Sequence, residues 1–205
     1  MSLAERAAAA RKAHAGSHPE AAAPALTPEQ RGSVHGNKYV NDFFQFEVSQ
    51  PAQWELYSAG RMNVSEAIGN EYLKPQSSGL TGTNSRVFGM GDGSGRNIMV
   101  SITPLPPDAL REPDQLLAVI KKLSLERLPQ AKEEHESVLL GDTHHAFSAF
   151  RCSFLIKDVP IVHSIQLIVL RDFVLVFSAT GRTDQEVSDA LHLLNSNLHF
   201  TQSQS

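Results

Sequence analysis

A chain of 205 residues is long enough for one medium domain with a tail, or for two small domains, and it can bury one sizeable core. Its 41% hydrophobic and 20% charged residues place it among globular proteins. Its 18 basic and 22 acidic residues give a net charge of −4, which argues against nucleic acid or an anionic membrane as the main partner, because both call for a concentrated basic face.

Ala4 to Ala13 have strong helix propensity but no apolar stripe beyond alanine. Gly16, Pro19, Pro24 and Pro28 then punctuate a polar, small-residue stretch up to Gly36. Residues 1–36 are therefore expected to form a flexible Ala/Pro-rich tail, or a spacer tethering the domain to a membrane or larger protein. Deleting them is expected to leave the melting temperature within about 2 °C. Residues 1–25 carry no h-region, so no leader is legible within them. The tail composition is that of a spacer following a leader, and the expected location is periplasmic or exported, with cytoplasmic as the alternative.

A single domain is expected over residues 37–205. Tyr39-Val40-Asn41 reads as a short strand, Asn41-Asp42 as a turn, and Phe43 to Val48 as a second strand with Phe44, Phe46 and Val48 on one face. Pro51 ends it and Trp54 follows. Residues 61–73 read as a helix and 74–79 as a loop. Ser85 to Phe88 and Asn97 to Ile102 read as strands joined by the Gly89–Gly95 run. Asp114 to Leu128 is an amphipathic helix stopped by Pro129. Ser137 to Leu140 and Ala146 to Ile156 read as strands, the second with Phe150, Cys152, Phe154 and Ile156 on one face.

Ile161 to Phe200 is the segment around which the rest is arranged. It predicts a strand, a turn at Arg171-Asp172, and a strand Phe173 to Ala179 apolar on both faces and hence covered on both. A helix Asp184 to Asn197 follows, opened by Thr183 with Glu186 three residues on. Val187, Leu191, Leu194 and Leu198 make its apolar stripe. Leu175, Phe177 and Trp54 are expected to be buried. An exposed Trp54 would instead mark a partner-binding anchor. The fold class is α+β, an antiparallel sheet covered by helices.

Tyr39-Val40-Asn41-Asp42-Phe43-Phe44-Gln45-Phe46 with Pro51 and Trp54 resembles the opening of PsbP-like domains. The ending is similar too: Phe177-Ser178-Ala179, a capped helix, then Leu194-Asn195 leading to Leu198-His199-Phe200. The resemblance implies a three-layer α/β/α sandwich, the fold shared by PsbP and a Ran-binding nuclear import factor. It also implies an accessory or binding protein, of a kind often exported in bacteria. No PsbP functional residue maps onto this chain.

Four features could carry chemistry. The glycines at 89, 91, 93 and 95 precede a strand rather than a helix, and Asp92-Gly93 is a hairpin signal, so the run reads as a turn rather than a phosphate or ligand loop. Asp92, Ser94 and Asn97 offer oxygens to calcium, but the further carboxylates of an EF-hand are missing. Among nine histidines, His144 and His145 are adjacent and point to opposite faces if extended. One of them could meet His163 across the sheet as a metal pair; the simpler reading is surface or core histidine. Cys152, the only cysteine, excludes an intramolecular disulfide and a Cys-based zinc site, and on an apolar face it is expected to be inert. Glu133-Glu134-His135-Glu136 reads as a solvated linker. No catalytic, cofactor or metal residue is assigned, and no cofactor is expected. The function expected is a non-enzymatic binding or accessory domain with a protein partner. The alternative is a small-molecule-binding or hydrolytic enzyme with a dispersed site.

Overall fold

The structure is a computed structural model of the chain and describes residues 25–58, 61–62, 85–107, 109–128, 130–141 and 145–201. The helix expected over 61–73 lies outside the described residues apart from 61–62, which are helical, as does the 74–79 loop.

The chain begins with a one-turn helix α1 (Pro28–Arg31) and short strands β1 (Ser33–His35), β2 (Lys38–Asn41) and β3 (Phe46–Ser49). A two-residue strand β4 (Glu55–Leu56) precedes β5 (Ser85–Gly91) and β6 (Asn97–Pro104). Helix α2 (Pro113–Arg127) leads to β7 (Lys132–Glu134), β8 (Ser148–Ile156), β9 (Val159–Leu170) and β10 (Phe173–Gly181). Helix α3 (Asp184–Asn197) and β11 (Leu198–Phe200) close the chain. The main sheet is antiparallel with the order β4-β5-β6-β10-β9-β8-β7, and a smaller sheet runs β1-β2-β3-β11.

Side chains alternate along β10, and this alternation sets the three layers. Leu175, Phe177 and Ala179 pack with Val187, Leu191 and Leu194 of α3 and with Phe46 of the small sheet. Val174 faces the other way, with Leu167 of β9, against Leu116 of α2 and against Leu105, which follows β6. The central strand is thus covered on both faces, as its unbroken apolar run requires, and the fold is a three-layer α/β/α sandwich. Thr183 caps α3 by accepting the Glu186 N–H at 3.2 Å. Glu186 does not close the box onto Thr183; its carboxylate takes the Arg182 N–H at 2.6 Å instead.

Several boundaries differ from the sequence reading. Phe43 and Phe44 lie in a turn, held by the Phe44 N–H donating to Asn41 Oδ1 at 3.0 Å, and β3 starts only at Phe46. Phe44 is nonetheless buried in the core, and the residue after it, Gln45, takes a left-handed backbone, φ 57°. The glycine run is a hairpin turn, as expected, but its glycines have two separate uses. Gly93 and Gly95 adopt positive φ in the turn. Gly89 and Gly91 lie inside β5, where a Cβ would meet Met99 Sδ at 2.6 Å and Tyr57 Oη at 2.1 Å.

Residues 25–36, expected to belong to the tail, are built into the domain; residues 1–24 lie outside the described residues. Thr27 and Gln30 cap α1 reciprocally. Tyr39 Oη donates to the Arg31 carbonyl at 2.7 Å, and Asn41 Nδ2 to the Gln30 carbonyl at 3.0 Å. Leu26 is buried in the main core. Leu26→Ala is expected to lower the unfolding free energy by about 2–4 kcal/mol, read from the urea midpoint.

Residues 137–140 form no strand. The neighbouring edge strand is β7, inside the acidic stretch taken as a linker. Gln166 of β9 supplies the bonds that a ladder would have made: its Oε1 accepts the Leu140 N–H at 2.7 Å and its Nε2 donates to the Val138 carbonyl at 2.5 Å. A side-chain amide carries N–H donors and a carbonyl acceptor side by side, so it can stand in for a peptide group in this way.

Candidate functional site

On the α3 side of the sheet, β8 and β9 place Arg151 directly opposite Ser164. Arg151 is 2% exposed, and a buried guanidinium must find partners for its donors. Its Nη2 donates to Glu136 Oε1 at 2.7 Å and its Nε to Oε2 at 3.2 Å, a bidentate pair. Its Nη1 reaches Asp184 Oδ1 at 3.3 Å and Ser188 Oγ at 3.1 Å, at the start of α3. Glu136 also accepts from the Ser164 hydroxyl and, at 3.0 Å, from the Val138 N–H. The Glu133–Glu136 run is therefore not a solvated linker throughout. Glu136 is 7% exposed and inside the cluster, Glu134 accepts from Ser153 Oγ at 2.5 Å, and Glu133 pairs with Lys121 of α2.

Beside this cluster lies an open depression of about 560 Å³ between the Glu133–Glu136 run and Ala149–Arg151 of β8. Leu139, 60% exposed, stands at its rim. The cluster can rigidify the wall of this depression, but it has little reactive capacity, because each carboxylate in it is already engaged.

The features singled out in the sequence are not brought together. His145 stacks on Phe200, ring centroids 4.0 Å apart, on the α3 side of the sheet. His163 lies on the α2 side with Nδ1 2.9 Å from Thr180 Oγ1, so His145 and His163 do not form the metal pair weighed as the alternative to surface or core histidine; His144 lies outside the described residues. Three or more metal-ligating side chains do not converge anywhere among the described residues.

Cys152 and His163 are register partners on β8 and β9. Burial, and then the charge of Glu134, push the Cys152 thiol up to about 11. Burial, and then Arg86, push His163 down to about 4. Both groups are neutral at pH 7, the reverse of the thiolate–imidazolium state a nucleophilic pair needs. In the 92–96 turn, burial raises the Asp92 carboxyl, but hydrogen bonds from Ser94 and the Arg96 guanidinium at 2.6 Å outweigh it and hold the carboxyl below its ordinary value. Asp92 is thus occupied within its own hairpin.

The His163 shift gives a pH dependence. Below about pH 6.5 the unfolded chain takes up a proton that the folded chain refuses until about pH 4, so stability falls as pH falls through that window. The urea midpoint is expected to drop between pH 7 and pH 5, and to drop less in His163→Gln.

The Arg151 cluster was not read from the sequence. Its signal was the alternation itself: Arg151 on β8 and Ser164 and Gln166 on β9 all fall on the face turned to α3, a polar row inside an otherwise apolar layer.

No protein-family model matches the chain, and no curated protein matches it. Among solved structures it is similar to LpqN, involved in cell envelope biogenesis of Mycobacterium tuberculosis. The TM-score is 0.49 at 15% identity, over 77% of this chain and 83% of that one. It is similar also to CyanoP, the cyanobacterial PsbP of Synechocystis sp. PCC 6803, with a TM-score of 0.49 at 14% identity, over 83% of this chain and 98% of that one. The likeness assigns no function.

Proposed function

We propose that the chain is a non-enzymatic accessory domain that acts by binding a protein partner. The observation that carries this reading is the pairing of a fully engaged Arg151 cluster with the open depression beside it. Every charged group of the cluster is bonded to another part of the fold, so the cluster serves to hold a surface in shape. Leu139, 60% exposed beside the depression, is the side chain assigned here as the contact point. Reciprocal tagging and co-purification from the native cells tests the reading. The expected result is one partner recovered in stoichiometric amount, and lost from Leu139→Asp while the variant stays folded. Turnover of a small substrate by the purified chain, with no partner recovered, would overturn it.

We also infer an exported protein, on the alanine-rich composition of residues 1–24 ahead of the domain. Recovery of the native protein from the cytosolic fraction would sink that inference.

A further inference from the structure

Residues 136–141 cross the α3 side of β8 and β9 without joining the sheet. Side chains hold them there: Glu136 binds Arg151 and Ser164, Gln166 binds both Val138 and Leu140, and the Gly141 N–H donates to Asn195 Oδ1 at 3.3 Å. We propose that this segment is a strap that opens as a unit while the sheet and helices stay folded, and that the Arg151–Glu136 contact is its latch.

The argument rests on what opening gains and loses. Strands β8, β9 and β10 hold one another by continuous ladders over nine residue pairs each, and opening the strap breaks none of them. The groups it uncovers are Arg151, Ser164 and Gln166, which exchange strap partners for water and are not left orphaned. Arg151 keeps Asp184 and Ser188 of α3, so the receiving half of the latch stays in place. The only apolar side chains withdrawn from the core are Val138 and Leu140, against the many that global unfolding would expose. A segment with few buried apolar contacts and no ladder belongs to the low-stability end of a fold. Its movement uncovers a polar row on an otherwise apolar face, directly beside the depression at β7 and β8. The strap carries Leu139, the contact point of the partner-binding reading, but it is argued only from how the chain opens, and its exchange test involves no partner, so the two fail separately.

Native-state hydrogen exchange on the full chain at low urea tests the proposal. The amides of Val138, Leu140 and Gly141 are expected to exchange together, at least about 100-fold faster than those of Leu175 and Phe177 in β10, with little dependence on urea. Glu136→Gln removes a contact that both strap opening and global unfolding break, so it is expected to speed these three about tenfold further and the β10 amides by no more than the same factor, leaving the strap faster than β10. Asn195→Ala, on the exposed side of α3, should act in the same direction and guards against a variant that fails to fold. Exchange of the three amides only with the β10 amides and with the full urea dependence overturns the strap. Unchanged exchange of the three strap amides in Glu136→Gln overturns the latch.

Discussion

Replacing Arg151 by alanine is expected to cost about 3–5 kcal/mol of stability. The size comes from what is left behind. Glu136 would remain 7% exposed with its bidentate partner gone, and an isolated buried carboxylate is far more costly than the pair is favourable. Asp184, 62% exposed, adds little, because water can replace the guanidinium there. A domain of this size has total stability near ~5–15 kcal/mol, so the variant would sit close to its limit. Urea unfolding followed by tryptophan fluorescence reads the change, since Trp54 is the only tryptophan.

Phe177→Ala and Trp54→Ala form the second prediction of comparable size, each at about 3–5 kcal/mol. Phe177 is fully buried at the centre of β10, with Phe46 at 5.6 Å and Phe147 at 5.4 Å between ring centroids. Removing it would separate three elements at once: the central strand, the small sheet and the segment before β8. Trp54 is 5% exposed at the entry to β4, on the edge of the main sheet, with the Arg96 guanidinium 6.0 Å from its ring. It joins the N-terminal strands to the core, as its place after the Pro51 turn suggested. Thermal or urea unfolding of the two variants checks both figures; a neutral Trp54→Ala would return that residue to the candidates for partner contact.

What the sequence disclosed and what it hid have a common physical cause. The β9–β10 hairpin and α3 were legible because burial imposes a period on their side chains: apolar at every position of Phe173 to Phe177, and every three or four residues along Val187, Leu191 and Leu194. The α3 boundaries followed from Thr183, whose hydroxyl caps the helix. By contrast, β7 is three residues long and charged, so it has no hydrophobic alternation to read. The strap was expected as a strand because Val138 and Leu140 alternate with exposed Leu139, and that alternation is real. Its hydrogen bonds, however, go to Gln166, 26 and 28 residues away, and no local pattern reports a side chain that stands in for a ladder. Arg151 was legible as a residue type and illegible as a site, because Glu136, Asp184 and Ser188 meet it only once the sheet is folded. The α1 cap was a different matter: Thr27, Pro28 and Gln30 carry a readable helix-start signature, which the surrounding prolines and alanines outweighed.

The claim on which the rest depends is that the buried charges are architecture, each stabilised by the other. The most direct test is a double-mutant cycle on Arg151→Met and Glu136→Gln, read as urea unfolding free energies. Glutamine keeps an acceptor for Ser164 and Val138 while removing the charge that methionine would orphan. The expected result is a coupling energy of about 2–3 kcal/mol, with the double variant more stable than Arg151→Met alone. Additive effects, with the double variant losing the sum of the two single losses, would contradict the account.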